Sequence, residues 1–192
     1  MSLLVEPLSG AALDAALPDL ARLRITVFRA FPYLYDGNED YEQRYMRSYR
    51  DNPSAILVAA RDGNRVVGAA TGMPLADHHD AAQIKDATDV SDVFYCAESV
   101  LLPNYRGRGI GHAFFDQREA HGRALGLSKS AFCSVERPED HPLRPTDYQP
   151  LDPFWRKRGY APIPGLTAEF SWKDVDRPAE TVKSLQFWMR AL

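Results

Sequence analysis

A glycine-rich turn in the middle of this 192-residue chain constrains its fold more than any other feature. A mostly apolar stretch, residues 93–102, leads into Asn104-Tyr-Arg-Gly-Arg-Gly-Ile-Gly-His112, and an amphipathic pattern follows over residues 109–125. This order predicts a buried strand, a tight turn and a helix. Glycines let backbone amides approach an anion closely, and a helix N-terminus adds unpaired N–H groups and partial positive charge. With the permanent charges of Arg106 and Arg108, the turn is typical of a phosphate-binding site.

Two common phosphate loops fit this turn poorly. A P-loop ends in Gly-Lys-Ser/Thr, whereas this turn ends in Gly109-Ile-Gly111-His112, which disfavours hydrolysis of nucleoside triphosphates. A dinucleotide-binding turn needs G-x-G-x-x-G, but Gly107, Gly109 and Gly111 give G-x-G-x-G. The residues before the turn also lack a βαβ pattern. An NAD-binding oxidoreductase is therefore a lower-ranked alternative.

Composition narrows the class of protein further. Hydrophobic residues make up 45% of the chain and charged residues 26%, as in packed globular proteins, and the length predicts one domain over residues 1–192. The net charge of −3 gives no general attraction to nucleic acid. The longest aliphatic run, residues 55–60, is too short to cross a bilayer, and the N-terminus lacks the pattern of a secretory signal. We therefore expect a cytoplasmic protein without a nucleic-acid or membrane partner, in which Cys96 and Cys133 are buried thiols.

Periodicity and turn residues predict an alternation of strands and helices. The first half should contain a strand at 3–5, a helix at 19–30 that Pro18 separates from an earlier piece, a helix from the Asn38 cap to residue 50, hairpin strands at 55–60 and 66–72, and a polar loop at 75–89. The second half should contain a strand at 93–102, a helix at 109–125, a strand at 130–135, a proline-rich loop at 137–153, a short helix at 154–158, a strand at 167–172 and a C-terminal helix at 179–192.

Two motifs give the chain a family resemblance. Arg106-Gly-Arg-Gly109-Ile-Gly111 resembles the pyrophosphate loop of the GNAT superfamily of N-acetyltransferases, Arg/Gln-x-x-Gly-x-Gly/Ala. The later Phe154-Trp-Arg-Lys-Arg-Gly-Tyr160 is similar to the family's Phe-Tyr-x-x-x-Gly-Phe segment, and the order of elements is similar throughout. The resemblance implies a mixed α/β fold whose central, mostly antiparallel sheet is flanked by helices in three αβα layers.

The resemblance also implies a reaction and a cofactor site. Acetyl-CoA would donate its acetyl group to a primary amine of a small-molecule or peptide acceptor, by direct attack in a ternary complex. The implied cofactor-binding residues follow the strand, the turn and the short helix: Val100, Leu101, Leu102, Arg106, Gly107, Arg108, Gly109, Ile110, Gly111, His112, Phe154 and Lys157. Family members carry a bulge in the strand that holds the pantetheine arm. The acceptor stays open, and a homodimer is one option for the assembly.

The predicted catalytic residues are Glu98 and Tyr160. Glu98 is an ionisable group inside an apolar stretch, which favours a general base over the alternative, a strand-end carboxylate paired with an arginine. The family's usual tyrosine acid is replaced here by Trp155. Tyr160 is predicted to protonate the departing thiolate, with Tyr148, water or unaided departure as alternatives. Because the usual acid is missing, a non-catalytic module that senses CoA or a nucleotide is the alternative function.

Other side chains have competing interpretations. One group of aromatic residues could either form the wall of an acceptor pocket or simply pack on the sheet, and the sequence supports both interpretations equally: Phe31, Tyr33, Tyr35, Tyr41, Tyr45 and Tyr49. Four acidic residues lie near the start of the predicted helix: Asp36, Glu39, Asp40 and Glu42. Their position favours a stabilising interaction with the helix dipole over attraction of a cationic amine. His78-His79-Asp80 lacks the spacing of a closed metal site, so no metal is expected.

Overall fold

A computed structural model describes residues 3–79 and 89–192. In this part of the chain, helices flank one sheet. Its strands are β1 (Leu3–Leu8), β2 (Ile56–Asp62), β3 (Arg65–Pro74), β4 (Val93–Tyr95), β5 (Ser99–Leu101), β6 (Lys129–Val135), β7 (Ala161–Lys173) and β8 (Glu180–Ala191). The helices are α1 (Gly10–Phe28), α2 (Glu39–Asp51), α3 (Ile110–Ala124) and α4 (Asp152–Lys157).

The sheet has the mixed, mostly antiparallel topology that the resemblance implied. Its strand order is β1-β2-β3-β4-β6-β8-β7, and β5 also pairs with β3. The pair β4–β6 is parallel, and the other pairs are antiparallel. The parallel pair lies in the middle of the sheet, where the chain passes through α3 between its two strands.

Alternating side chains of β2 show how the layers form. Leu57 and Ala59 belong to the core beneath α1 and α2. Val58 and Ala60 point to the other face, where they pack in one cluster with residues of α3. Because successive strand residues face opposite sides, one apolar strand supplies both cores. The predicted three-layer αβα arrangement is confirmed.

Local signals predicted several element ends correctly. The β2–β3 hairpin turns at Asp62-Gly63-Asn64, where Gly63 has a φ of +59°. The Asn38 side chain caps α2 by accepting a 3.1 Å hydrogen bond from the Tyr41 amide. Gly126 follows α3 at a φ of +81°, which only glycine adopts readily.

Two predicted helical features are wrong. Pro18 does not divide α1, which runs through it without a break. The proline lies on the exposed side of the helix, where solvent can bond the carbonyl that loses its partner, while neighbouring leucines hold the helix on the core. Residues 179–192 form strand β8 rather than a helix, because pairing with β6 and β7 buries alternate side chains, namely those of Lys183, Leu185 and Phe187.

The predicted strand at 93–102 is two strands joined by a bulge. Met73 of β3 pairs with Tyr95, and Ala70 pairs with Ser99. Between these pairs, residues 71–72 of β3 therefore face residues 96–98, so that three residues oppose two. Such an extra residue bends a strand and redirects its side chains. The resemblance implied a bulge near Val100 to Leu102, whereas the bulge lies at residues 96–98, just before these residues, and Glu98 belongs to it.

The loop predicted at 75–89 lies partly outside the described residues, which omit 80–88. Residues Leu75–Asp77 form a short 3-10 turn, and the Leu75 side chain is fully buried. Across 3–79 and 89–192, the helices are too short or too polar to cross a membrane.

Candidate active site

The turn before α3 presents an open backbone surface. Gly107 and Gly109 have φ values of +73° and +80°, and a Cβ at either position would meet no atom within 4 Å. Gly109 caps α3 without a side-chain hydrogen bond, and the first intrahelical bond runs from the Ala113 amide to the Gly109 carbonyl at 3.1 Å. The preceding amides, those of Ile110, Gly111 and His112, therefore have no carbonyl partner within the helix. Such a turn can receive an anion without steric obstruction.

Exposed charged side chains and one aromatic ring surround the backbone of this turn. Arg106 and Arg108 are exposed and hold single backbone carbonyls, of Leu101 at 3.3 Å and Asn104 at 2.9 Å. The Phe154 ring of α4 lies 3.4 Å from the Cβ position of Gly111 and 4.8 Å from the His112 ring, between centroids. Lys157 is exposed on the same helix. Phe154 thus adjoins the predicted turn, and Lys157 lies three residues further along α4.

Strands β4 and β6 separate after a short parallel pairing. They pair in parallel as far as Tyr95 and Ala131, and the Cys96 amide donates a 2.8 Å hydrogen bond to the Ala131 carbonyl. Beyond this point the chain follows β3 through β5, whereas β6 continues along β8. Val100 is buried on the β5 side of the resulting gap, and Leu101 and Leu102 are half-buried.

A cavity of about 420 Å³ lies near the point of divergence. Strand β4, the bulge and β6 contribute Tyr95, Ala97, Glu98 and Cys133 to its lining. Helices α1 and α2, the loop between them and His79 contribute a second group: Arg24, Phe28, Tyr33, Tyr35, Asp36, Asn38, Tyr41, Tyr45 and His79. Strands β7 and β8 contribute the remainder: Phe170, Ser171, Trp172, Lys173, Glu180 and Leu185.

Glu98 is held in this lining by groups from three elements. Its side chain is 9% exposed, and Arg24 of α1 lies 2.8 Å from its Oε1 atom. The Tyr45 hydroxyl donates to Oε1, and the Thr71 hydroxyl donates to Oε2. Glu98 therefore borders the cavity and is paired with an arginine, as the alternative interpretation expects, while its role as a general base stays a prediction.

Arg24 connects the cavity to the buried side of α2. It pairs with the fully buried Glu42 as well as with Glu98, and its guanidinium lies 4.6 Å from the centre of the Tyr45 ring. Burial opposes its charge, but the two carboxylates outweigh burial and raise the pKa of Arg24. One cation thus balances two carboxylates in a space that water barely reaches.

A chain of hydroxyls leads from Glu98 away from the cavity. The Tyr45 and Tyr49 hydroxyls are 3.0 Å apart, and the Tyr49 hydroxyl is 3.2 Å from Nε2 of His78. Burial, followed by the charge of Glu98, raises the pKa of both tyrosines well above its usual value. Both tyrosines therefore keep their protons at neutral pH and act as hydrogen-bond donors.

Arg118 fixes the bulge from the opposite face. This fully buried residue of α3 donates from Nη1 to the carbonyls of Glu98 and Thr71, at 2.9 and 3.1 Å, and from Nη2 to the Ser99 hydroxyl at 2.9 Å. Sequence reasoning missed both Arg118 and Arg24. A signal was present, because each arginine occupies a core-facing helix position, Arg118 four residues after Phe114 and Arg24 four residues before Phe28.

Tyr160 lies in a different environment from Glu98. It is 2% exposed and packs in the cluster beneath α3 with Phe115 and Phe132. Its hydroxyl contacts that of Ser130 at 2.7 Å and donates to Glu119 at 3.1 Å. Burial, followed by nearby Cys96 and Glu119, raises the pKa of Tyr160. Trp155 packs against the same cluster.

The other singled-out residues divide between cavity and framework. Four of the six aromatic residues line the cavity, namely Tyr33, Tyr35, Tyr41 and Tyr45. Tyr49 is buried behind the cavity, and Phe31 contacts Tyr148 and His141 outside the lining. Among the acidic residues, Asp36 lines the cavity and pairs with Lys173 and Arg29. Glu42 is buried in the first turn of α2, whereas Glu39 and Asp40 are exposed in the same turn. Cys96 is buried, but Cys133 is half-buried in the lining, 2.9 Å from the Tyr95 hydroxyl. His78 is buried and His79 exposed, while Asp80 lies outside the described residues.

Comparison with known proteins identifies the class that this fold and site define. The chain matches the acetyltransferase (GNAT) family over residues 20–145. It therefore belongs to the GNAT acetyltransferase family.

Solved structures share the fold at low sequence identity. The ribosomal-protein-alanine N-acetyltransferase of Brucella melitensis is 14% identical, with 99% of this chain and 100% of that chain covered and a TM-score of 0.65. YncA of Salmonella typhimurium, solved with acetyl-CoA, is 10% identical, with 100% and 95% covered and a TM-score of 0.64. The PaiA N-acetyltransferase of Thermoplasma acidophilum, in complex with coenzyme A, is 11% identical, with both chains fully covered and a TM-score of 0.56. No curated protein sequence matches the chain.

Proposed function

We propose that the protein transfers the acetyl group of acetyl-CoA to a primary amine by direct attack in a ternary complex. Family membership makes it an acetyltransferase, with acetyl-CoA as the donor. The observation that carries the finer proposal is the bulge at residues 96–98, because it brings the Glu98 carboxylate to a cavity where the strands diverge. Over residues 1–192, we propose a single acetyltransferase domain in the cytoplasm.

The proposed donor site is the turn at residues 106–112. Open amides and two exposed guanidinium groups suit a diphosphate, since both stabilise negative charge. Phe154 and Lys157 would border the cofactor from α4. The pantetheine arm would follow Val100, Leu101 and Leu102 towards the cavity. Two substrates held in this way gain the rate advantage of proximity.

The acceptor needs a base before it can attack. An alkylammonium with a pKa of about 10.4 lies roughly 3.4 units from its nucleophilic form at pH 7, which corresponds to about 4.6 kcal/mol. We assign removal of this proton to Glu98, directly or through a water molecule. The nitrogen lone pair then forms a bond to the thioester carbon, and the carbon–sulfur bond breaks as the tetrahedral intermediate collapses.

The departing thiolate needs a proton donor less than the acceptor amine needs a base. A thiol pKa near 8.5 allows the thiolate to leave without a donor, and the second proton of the attacking nitrogen can then reach the sulfur. Tyr160 stays the predicted acid. Its strongly buried hydroxyl supports this role less well than the lining position of Glu98 supports that of a base.

Glu98→Gln tests the proposal. We expect kcat at pH 7 to fall roughly 100-fold or more, as for loss of a general base. Activity should recover as the pH rises towards the pKa of the amine, because the acceptor then loses its proton unaided. Steady-state kinetics between pH 6 and 10 measures both effects. A 100-fold excess of acetyl-CoA over Kd should still stabilise the variant by about 2.7 kcal/mol, or roughly 5 to 11 °C in Tm.

Glu42→Gln is the matched control. Glu42 shares the Arg24 partner of Glu98 but does not belong to the cavity lining. This variant should lose stability and keep the pH profile of the wild type. Unchanged kcat and pH dependence in Glu98→Gln would remove Glu98 from the mechanism.

A further inference from the structure

The chemistry of the cavity lining points to the class of acceptor. Aromatic side chains form the largest group in the lining: Phe28, Tyr33, Tyr35, Tyr41, Tyr45, Tyr95, Phe170 and Trp172. Rings of this kind attract both other rings and cations through their π faces. We propose that the acceptor is a small arylalkylamine, a primary amine joined to an aromatic ring by a short alkyl chain. This inference rests on the proposed amine acetylation and specifies its substrate.

The charges of the lining favour a cationic acceptor over an anionic one. Three carboxylates border the cavity, those of Asp36, Glu98 and Glu180, against the two cations Arg24 and Lys173. Both cations already have carboxylate partners, since Arg24 pairs with Glu42 and Glu98 and Lys173 with Asp36. The same pairs engage the carboxylates of Asp36 and Glu98, but the cluster of Arg24, Glu42 and Glu98 holds two carboxylates against one cation. An ammonium group meets a favourable potential next to Glu98, whereas a free carboxylate on the acceptor would meet repulsion.

The spacing of these groups favours a short linker. The Tyr45 hydroxyl bonds Glu98 directly, so aromatic surface begins next to the proposed base. The Tyr41 and Tyr45 rings are stacked at 9°, with centroids 6.3 Å apart, on the α2 side of the cavity. An acceptor whose nitrogen reaches Glu98 therefore has rings within reach after a few methylene groups.

The wall formed by β7 is fixed before any ligand arrives. Trp172 donates from Nε1 to the Tyr33 carbonyl at 3.0 Å, and the two rings stack with centroids 5.9 Å apart. Arg137 donates to the carbonyls of Pro32 and Tyr33, both at 2.8 Å, and pairs with Asp174. A wall held in this way loses little entropy when it packs against a ring, so it can distinguish aromatic from flexible aliphatic acceptors.

The size of the cavity favours a small molecule over a protein tail. Small-molecule sites usually measure roughly 300 to 1,000 Å³, and this cavity of about 420 Å³ lies at the lower end of that range. A single ring with a short amine chain fits such a volume. A peptide acceptor would have to leave most of its length outside.

A panel of amines tests the inference. Acetylation of 2-phenylethylamine, tryptamine, n-hexylamine, phenylalanine and a Ser-Ala dipeptide is measured with the full-length protein and saturating acetyl-CoA. We expect kcat/KM for 2-phenylethylamine and tryptamine to exceed that for n-hexylamine at least tenfold. Phenylalanine, which adds a carboxylate, should fall at least tenfold below 2-phenylethylamine.

Two variants show whether the cavity rings cause the preference. Tyr41→Leu changes a ring that is 51% exposed, so folding should be preserved, and it should lower kcat/KM for the two aromatic amines severalfold more than kcat/KM for n-hexylamine. Phe31→Leu removes a ring that contacts Tyr148 and His141 outside the lining, and it should leave the preference unchanged.

The possible failures are distinguishable. Equal kcat/KM for aromatic and aliphatic amines would overturn the aromatic acceptor and leave amine acetylation standing. A dipeptide preferred over every free amine would overturn it in favour of a peptide acceptor. If acetyl-CoA raises Tm but no amine is acetylated, both the acceptor class and the proposed function fail.

Discussion

The proposed donor turn and the proposed acceptor cavity are built in opposite ways. The donor turn consists of consecutive residues, 106–112, and it presents mainly backbone groups that open to solvent. The acceptor cavity combines side chains as distant in sequence as Arg24 and Glu180, several of them buried. A local backbone site can recognise a donor common to a whole family, whereas an assembled side-chain site can differ from one member to the next.

Their arginines show the same contrast. Arg106 and Arg108 are exposed and hold single carbonyl groups, so their charges are available to an anion. Arg24 and Arg118 are buried and bind groups of the protein itself. The first pair is suited to ligand binding, and the second pair stabilises the shape of the site.

Replacing Arg24 should produce the largest loss of stability. Arg24→Met leaves Glu42 and Glu98 without their cation, and breaking a buried pair in this way typically costs about 3–5 kcal/mol. Urea unfolding at pH 7 measures the change. The exposed Arg106→Met should change stability by less than about 0.5 kcal/mol. Similar values for the two variants would contradict the division between structural and ligand-binding arginines.

Acidification should lower the stability of the fold near the proposed acceptor cavity, because it protonates Asp174. Burial alone would raise the pKa of Asp174, but hydrogen bonds from Arg137 and Lys183 outweigh burial and lower it. A carboxyl whose pKa is lower in the folded than in the unfolded protein stabilises the fold above its unfolded pKa, near 3.9. This contribution is lost as the pH falls through the folded pKa. The Arg137–Asp174 pair also holds the Tyr33 segment, so acid should loosen one cavity wall.

Urea unfolding between pH 7 and pH 3 follows this effect. Asp174→Asn should be less stable than the wild type at pH 7 and should lose less stability on acidification. Its effect should be smaller than that of Arg24→Met, because asparagine keeps an oxygen that can accept hydrogen bonds from Arg137 and Lys183, whereas methionine keeps no donor for Glu42 and Glu98. Parallel acid curves for the variant and the wild type would show that other groups control the acid limb.

The sequence revealed features whose cause lies within a few residues. The Asp62-Gly63-Asn64 turn, the Asn38 cap and the donor turn depend on backbone conformation and nearby side chains, and the structure contains all three elements. The helix predicted at 179–192 is strand β8 in the structure, because the alternating burial of these residues exists only once β6 and β7 lie on either side.

The candidate site follows the same rule. Glu98 was noticeable as a charge inside an apolar stretch, whereas Arg24 and Arg118 gain their roles from other elements. The bulge that carries Glu98 depends on the register between β3 and its two partners, which the sequence of one strand does not contain. The strand pairing brings the proposed base, its arginine partner and the cavity together as one candidate site.

The smallest expected effect is a change in the KM for acetyl-CoA when a glycine of the donor turn is replaced. A comparison of Gly109→Ala with Gly126→Ala distinguishes an effect on ligand binding from an effect on backbone conformation. Gly109 and Gly126 flank α3 with φ values of +80° and +81°, and a Cβ would meet nothing within 4 Å at either position. Replacement of either glycine with alanine should therefore cost a similar amount of stability, about 1–2 kcal/mol, from the left-handed backbone alone. Only Gly109→Ala places a methyl group in the proposed diphosphate site. It should raise the KM for acetyl-CoA roughly fivefold to tenfold, equivalent to about 1.0–1.4 kcal/mol. Gly126→Ala should leave that KM unchanged, and an equal rise in both variants would mean that the cofactor responds to the stability of α3 rather than to the open surface of the turn.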